Sequence, residues 1–246
     1  MSEVSIAVDG GVMPGYLAVP DGSGPWPGVV LVHDVVGMGS DLRTQADWLA
    51  EEGYLALAPN LFHWSGHTRC LLSSMRDYLR RRGRVFDDLE AARGWIMADE
   101  RCSGRVGVIG WCFGGGFALL LALTEGYDAS SVNYGYVPAD YEEVLARACP
   151  VIGSFAGRDG AMAASARRLQ TVAARPDNPH QAAVYAGAQH GYLNDHSHDD
   201  LPRLLLVQAA VAGSTSTYSP RAAALTRRRI VAFFDRHLRD AAGASP

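Results

Sequence analysis

The residues best suited to do chemistry lie in the segment Gly110-Trp111-Cys112-Phe113-Gly114, between two apolar runs. A cysteine flanked by glycines at this spacing is typical of a nucleophile on a tight strand-to-helix turn, where larger side chains would collide with the backbone. The N-terminus of a helix also favours a thiolate. The segment therefore predicts Cys112 as a nucleophile and the Phe113 N–H as an oxyanion donor.

Two other interpretations of this segment stay open at this point. Glycine-rich turns with an inert, buried cysteine arise by chance, and a dinucleotide-binding loop also contains clustered glycines. The spacing of Gly110 and Gly114 does not follow the G-x-G-x-x-G pattern of such a loop. A catalytic thiol needs a base, and the base needs an orienting carboxylate.

Both groups follow Cys112 in the chain. Asp159 lies in Phe155-Ala156-Gly157-Arg158-Asp159-Gly160, just after an apolar run, and His190 lies in Ala186-Gly187-Ala188-Gln189-His190, after the next such run. Each alone is unremarkable, because aspartate is common in turns and loop histidines are usually solvated. The order nucleophile, acid, base is that of an α/β-hydrolase. We therefore predict a Cys112–Asp159–His190 triad.

The elements that must position this triad alternate between strands and helices. Short apolar runs predict buried strands, whereas longer patterns with helical spacing separate them. Predicted strands cover residues 28–33, 54–58, 106–109, 151–155 and 182–185, with an edge hairpin at 5–8 and 16–19, and predicted helices cover 41–52, 87–97, 113–124, 161–174 and 222–238. We predict one α/β domain over residues 1–246, with a mostly parallel sheet of about eight strands and helices on both faces.

Two long segments, 60–84 and 191–220, resist assignment to an element. Long connections in a compact domain are often lids or binding loops. Whether either segment closes over the site is left open.

Composition excludes several function classes. The chain has 22 basic and 26 acidic residues, a net charge of −4, which gives no reason to expect nucleic acid as a partner. The first residues do not form a secretory signal, and no apolar run reaches about 18 residues, so we expect a cytoplasmic protein without membrane contact. The four cysteines lack zinc-site spacing and are expected to be free thiols.

The sequence resembles the dienelactone hydrolase family from about residue 15 to residue 238. The likeness is carried by Gly28-Val29-Val30-Leu31-Val32-His33-Asp34-Val35-Val36-Gly37, Ala58-Pro59-Asn60-Leu61-Phe62, Asp88-Leu89-Glu90-Ala91-Ala92, Gly110-Trp111-Cys112-Phe113-Gly114-Gly115, Ala156-Gly157-Arg158-Asp159 and His190-Gly191-Tyr192. The resemblance implies the α/β-hydrolase fold, the Cys112/Asp159/His190 triad and a second oxyanion donor at the Val35 N–H.

The chain departs from the family pattern at two places. Asp34 stands where the family has glutamate, a carboxylate that the resemblance implies as a contact of the resting thiol; alternatively, Asp34 only caps its loop. Asn194 stands where family members that act on dienelactone carry an arginine that binds the substrate carboxylate. A second such arginine would lie before Asp88, where Arg69 and Arg76 are the candidates.

Weaker patterns leave further alternatives. Trp64, Trp111, Phe62 and Tyr192 are candidates to line an acyl pocket or, equally, to pack in the core. The loop from His190 to Asp200 and the pair His63 and His67 contain possible metal ligands, but we interpret them as solvated or pocket residues. The arginines from Arg76 to Arg84 are typical of a solvated helix face, or would attract an anionic substrate.

The sequence thus predicts an enzyme that cleaves a small-molecule ester or lactone through a thioester, without metal or organic cofactor. Dienelactone itself is a poor candidate as substrate. The alternatives are acyl transfer, thioester cleavage or cyclisation in a biosynthetic route, and a non-catalytic ligand-binding module on the same scaffold. Nothing in the sequence indicates the oligomeric state.

Overall fold

The computed structural model describes residues 2–196 and 218–239. These residues form an eight-stranded sheet of β1 (Ser2–Val8), β2 (Gly11–Ala18), β3 (Trp26–Val32), β4 (Leu55–Pro59), β5 (Cys102–Trp111), β6 (Ala129–Asn133), β7 (Val151–Ala156) and β8 (Gln181–Tyr185). Their order is β1-β2-β4-β3-β5-β6-β7-β8. The pairs β1–β2 and β2–β4 are antiparallel and the others parallel. The predicted fold class and edge hairpin are confirmed.

Helices connect the strands on both faces of the sheet. The described residues include α1 (Ser40–Glu51), α2 (His67–Arg80), α3 (Arg84–Met97), α4 (Phe113–Leu121), α5 (Tyr141–Arg147), α6 (Ala163–Ala173) and α7 (Pro220–Phe234), which continues into a π-helical turn at Asp235–Arg239. The five predicted helices correspond to α1, α3, α4, α6 and α7. None of the helices in this part of the chain is long and apolar enough to cross a bilayer.

The buried strands divide their side chains between two cores. In β3, Val29 and Leu31 join the core formed with α1 and α7, whereas Val30 and Val32 join the core formed with α3 and α4. Successive strand residues point to opposite faces, so a strand covered on both sides must be apolar at nearly every position. This explains why β3 was recognisable as a continuous apolar run.

Strand β6 was not predicted, because three of its five residues are polar. Ser130, Ser131 and Asn133 are nevertheless buried. The Ser130 hydroxyl donates to the Ala118 carbonyl at 2.8 Å and the Asn133 amide donates to the Gly110 carbonyl at 3.2 Å. These bonds engage the Ser130 hydroxyl and the Asn133 amide nitrogen, so a largely polar sequence can occupy a central strand, although Asn133 Oδ1 has no partner among the described residues.

Helix α2 was also not predicted, and it lies inside the unassigned segment 60–84. Its buried side chains are polar or small, and its exposed face is apolar, the reverse of an ordinary surface helix. The buried residues are Cys70, Ser74 and Asp77 and the exposed apolar ones are Leu72, Met75 and Leu79. The other unassigned segment, 191–220, lies outside the described residues from 197 to 217.

Two identical substitutions should have very different effects on stability. Leu57 on β4 is fully buried, and Leu79 on α2 is 80% exposed. Leu57→Ala should lower the free energy of unfolding by about 2–5 kcal/mol, because it leaves a cavity. Leu79→Ala should change it by less than about 0.5 kcal/mol. Urea unfolding of both variants measures the difference; similar losses would contradict the placement of α2.

Candidate active site

Cys112 occupies a sharp turn between the end of β5 and the start of α4. Its backbone has φ of +53° and ψ of −116°, a conformation that side-chain-bearing residues rarely adopt. A Cβ on Gly110 would lie 2.1 Å from the Gly114 carbonyl oxygen, and a Cβ on Gly114 would lie 2.2 Å from the Val32 carbonyl oxygen. The two glycines therefore allow the close backbone contacts that this turn requires, as the spacing predicts.

The resting thiol of Cys112 is neutral. Burial raises the pKa of the Cys112 thiol to about 12, and the negative charges of Asp34 and Asp159 act in the same direction. A hydrogen bond from the Phe113 N–H lowers this pKa but does not compensate for burial. The N–H at the helix N-terminus thus lowers the pKa of the thiol, as predicted. The net shift of this pKa is nevertheless upward, because burial and the two carboxylates outweigh that hydrogen bond.

The predicted acid and base, Asp159 and His190, meet at the ends of β7 and β8. His190 Nδ1 lies 2.5 Å from Asp159 Oδ2, and the other carboxylate oxygen, Oδ1, accepts the Met162 N–H at 3.2 Å. The Arg158 N–H donates to the Ala188 carbonyl at 2.9 Å and joins the two loops. With Nδ1 directed at the carboxylate, Nε2 of a neutral ring is available as a base.

Tyr134 is a site residue that the sequence analysis missed. It follows β6 directly, with φ of +39°, and its ring centroid lies 5.0 Å from that of His190 in an edge arrangement. The buried Tyr134 hydroxyl donates to Asn194 Oδ1. The ring therefore supports the imidazole on one side while Asp159 holds it on another. The available signal was the polar strand β6, which was itself not recognised.

Asp34 lies in the turn after β3. Its Oδ1 accepts the Val36 N–H at 2.8 Å, and its Oδ2 lies 2.8 Å from Nε2 of His196. The bond with the Val36 N–H is the loop cap of the alternative interpretation, because the carboxylate closes the turn, but capping is not its only interaction. Its second partner is a histidine from the loop after the base, and the charge of Asp34 still raises the pKa of the thiol.

Asn194 is engaged in a buried network rather than directed at an open pocket. Its Nδ2 donates to Asp41 Oδ2 at 2.5 Å and its Oδ1 accepts the Tyr134 hydroxyl. The Asp195 N–H donates to Asp41 Oδ1 at 2.8 Å, and burial raises the pKa of Asp41. Asn194 therefore ties the loop after His190 to the start of α1.

The remaining candidates divide into surface and core residues. Arg69 and Arg76 are exposed on α2, where Arg76 donates to Ser73 Oγ at 3.0 Å. The Trp111 side chain is 1% exposed and that of Tyr192 is fully buried. The Tyr192 hydroxyl lies 2.8 Å from Thr226 Oγ1. The burial of Trp111 and Tyr192 agrees with the alternative that these two aromatic side chains pack in the core.

The possible metal ligands have other partners. His63 Nε2 lies 3.2 Å from Asp88 Oδ2, and His67 Nε2 lies 2.7 Å from the Val35 carbonyl oxygen. Over residues 2–196 and 218–239, no group of three potential ligands could hold a metal ion. The acidic and histidine residues at 198–200 lie outside the described residues.

Comparison with known proteins places this site in a family. The family model described as "Dienelactone hydrolase family" matches residues 13–238. The chain belongs to the dienelactone hydrolase family. A carboxymethylenebutenolidase of Pseudomonas sp. is 30% identical over 76% of this chain and 82% of its own, and one of Pseudomonas putida is 26% identical over 74% and 82%. The chain is thus a dienelactone hydrolase-like enzyme, an ester or lactone hydrolase.

Solved structures of dienelactone hydrolases and related enzymes share the fold. A dienelactone hydrolase-like promiscuous phosphotriesterase from metagenomic libraries superposes with a TM-score of 0.73 at 20% identity, covering 96% of this chain and 97% of its own. A dienelactone hydrolase from Anabaena variabilis gives a TM-score of 0.68 at 18% identity, covering 97% and 98%. At this identity the likeness establishes the fold, not the substrate.

Alkylation should report the neutral resting thiol. With a pKa of about 12, the thiolate fraction of Cys112 at pH 8 is on the order of 10⁻⁴. Iodoacetamide should therefore label Cys112 slowly at pH 8, and the labelling rate should keep rising into the strongly alkaline range. Asp34→Asn should speed the labelling, because it removes a negative charge beside the sulfur. Peptide mapping measures the rate at each cysteine.

Cys149 is the internal control for this measurement. Burial also raises the pKa of its thiol to about 12, but the carboxylate acting on it is Asp128, not Asp34. Its labelling should therefore be slow in both proteins. Rapid labelling of Cys112 at pH 8, or equal rates with and without Asp34, would contradict the electrostatic account.

Loss of the Asn194 side chain should destabilise the protein. Asn194→Ala leaves the Asp41 carboxylate and the Tyr134 hydroxyl each without one buried partner, which should cost roughly 1–3 kcal/mol in the free energy of unfolding. Asp195→Ala is the matched control, because it removes an exposed carboxylate and keeps the N–H that binds Asp41. Equal unfolding midpoints in urea would show that the network contributes nothing.

Proposed function

We propose that this dienelactone hydrolase-like enzyme cleaves its ester or lactone through a thioester on Cys112, with His190 as base and Asp159 as its orienting acid. The observation that carries this proposal is the Cys112 turn combined with the His190–Asp159 hydrogen bond of 2.5 Å. The turn presents a thiol at the end of β5, and the hydrogen bond leaves Nε2 of the base available.

The reaction proceeds by acyl transfer. His190 Nε2 accepts the thiol proton as the sulfur attacks the carbonyl carbon, and the N–H groups of Val35 and Phe113 bind the resulting oxyanion. The tetrahedral intermediate collapses, the C–O bond breaks, and the alkoxide leaves with the proton from His190. Water then attacks the thioester, again with His190 as base, and the acid is released with the free thiol.

The neutral thiol determines when the nucleophile forms. A thiol with a pKa of about 12 contains almost no thiolate at rest, so proton transfer to His190 must accompany attack on a bound substrate. Asp34 contributes to this state through its charge, and its hydrogen bond to the Val36 N–H holds it in the turn. We assign Asp34 as an auxiliary carboxylate that tunes the thiol.

The substrate we propose is a small ester or lactone without a carboxylate at the dienelactone position. The amide of Asn194 is already bonded to Asp41 and Tyr134, and an amide cannot form the paired charged hydrogen bonds of an arginine. Arg69 and Arg76 remain the candidates for contact with an anionic group. No cofactor takes part in these steps.

We also propose that the protein acts in the cytoplasm, a compartment where thiols stay reduced. All four cysteines are free. Free thiols are typical of proteins in that compartment.

The decisive variant is Cys112→Ala. It should abolish release of p-nitrophenol from p-nitrophenyl acetate, because no thioester can form. Cys102→Ala is the control, since it removes another free thiol at the far end of the same strand. Asp159→Asn should lower kcat by about 10²–10⁴, because the base loses its charged partner. Undiminished turnover by Cys112→Ala would refute the mechanism.

Direct measurement of lactone hydrolysis tests the substrate class. The wild-type enzyme should have a lower kcat/KM for dienelactone, which carries a carboxylate, than for a neutral lactone of similar ring size. A preference for dienelactone would show that another residue replaces the missing arginine, with Arg69→Gln and Arg76→Gln as the variants to identify it.

A further inference from the structure

Two histidines that the proposed mechanism does not use hold the turn after β3. His33 is buried, and its Nδ1 lies 2.7 Å from the Asp34 carbonyl oxygen. Its Nε2 accepts the Leu61 N–H at 3.2 Å. Both ring nitrogens of this histidine are therefore bonded to the backbone.

The hydrogen bonds determine the tautomer of His33. Because Nε2 accepts a hydrogen bond from the Leu61 N–H, it carries no proton, and the single proton of the neutral ring lies on Nδ1. Burial lowers the pKa of His33, which keeps the ring neutral. Nδ1–H must then donate to the Asp34 carbonyl, which can only accept.

This bond controls the direction of the Val35 N–H. The Asp34 carbonyl and the Val35 N–H belong to one planar trans peptide and point in opposite directions. Fixing the carbonyl toward His33 therefore directs the N–H to the other side of the chain. The Val35 N–H has no acceptor within the described residues, so it is free to bind an oxyanion.

The following peptide is held in the same way. The Val35 carbonyl lies 2.7 Å from His67 Nε2, which must carry the proton because a carbonyl can only accept. The Val36 N–H of that peptide donates to Asp34 Oδ1. The Phe62 ring lies between the two histidines, with centroids 4.5 Å from His33 and 5.0 Å from His67.

The turn is in contact with the nucleophile's own backbone. Strand β3 pairs with β5 so that Val32 is opposite Gly110. A Cβ on Gly114 would lie 2.2 Å from the Val32 carbonyl oxygen and 2.5 Å from that of His33. The peptides held by the two histidines therefore follow directly, along the chain, the backbone that contacts the Cys112 turn.

We propose that His33 and His67 are positioning residues, which fix the peptides on either side of Val35 so that its N–H points at the substrate oxyanion. This inference rests on the proposed function, since it assigns the Val35 N–H to the reacting carbonyl. Neither histidine touches the substrate. A competing explanation is that both rings serve only to pack against Phe62.

Asparagine and glutamine variants separate hydrogen bonding from packing. The amide nitrogen of asparagine can replace Nδ1 of histidine, and that of glutamine can replace Nε2. At position 33, His33→Asn keeps the donor to the Asp34 carbonyl, and His33→Gln can keep only the acceptor for Leu61. At position 67, His67→Gln keeps the donor to the Val35 carbonyl and His67→Asn loses it. All four variants lose the ring.

The expected result is a crossed pattern in kcat. Removing one oxyanion donor costs about 10²–10³ in kcat, and a misdirected donor should cost part of that, so His33→Gln should be about tenfold slower than His33→Asn. His67→Asn should likewise be slower than His67→Gln. KM should change less than about threefold, because the donor binds the transition state more strongly than the substrate. Hydrolysis of p-nitrophenyl acetate and thermal unfolding are measured for each variant.

The results distinguish a positioning role of the histidines from a packing role, and both from failure of the proposed function. Equal kcat within each pair, with losses that follow the unfolding temperature, would overturn the positioning role in favour of packing. If His33→Gln fails to fold, the half-buried His67 pair decides by the same comparison. Undiminished activity of Cys112→Ala would instead refute the proposed function, while loss in Cys112→Ala without the crossed pattern would refute this inference alone.

Discussion

The structure of the site depends on one close backbone contact, between the start of α4 and the end of β3. Gly114 lies so near the Val32 and His33 carbonyls that a single methyl group would not fit. This contact places the Cys112 turn against the turn that carries Val35. A strained φ of +53° at Cys112 persists because pairing with β3 holds the strand before the turn and the Gly114 contact holds the start of the helix after it.

A second consequence of this arrangement is electrostatic. The thiol is partly buried and lies within the field of Asp34 and Asp159, so its proton is retained at rest. Neutral thiols react slowly with oxidants, because the thiolate is the reactive form. The thiol is therefore protected at rest, and the proposed mechanism depends on the His190–Asp159 pair to remove its proton when a carbonyl carbon is present.

Residue types and spacing were sufficient to predict most of the fold and to single out the residues of the proposed triad, because steric and periodic requirements leave a direct mark on the sequence. Gly110 and Gly114 mark the elbow, and the apolar strands β3, β5 and β7 mark the sheet. Strand β6 leaves no such mark, because three of its five residues are polar; the Ser130 hydroxyl and the Asn133 amide nitrogen bind carbonyls that only the fold brings near. Tyr134 was missed for this reason. Helix α2 was missed because its apolar residues face outward.

The roles of His33 and Asn194 could not be predicted from the sequence, for a different physical reason. Each acts through hydrogen bonds to groups whose position only the folded chain defines.

The loop between β4 and α2 supplies the Leu61 N–H and the Phe62 ring, and α2 begins with His67. This segment was a candidate lid in the sequence, but Leu61, Phe62 and His67 contact the turn after β3. The Phe62 ring also packs against Gly37, whose φ of +93° closes that turn. A segment that supports the oxyanion turn cannot move far during the reaction without releasing the Val35 N–H, so its rigidity is a condition of transition-state binding.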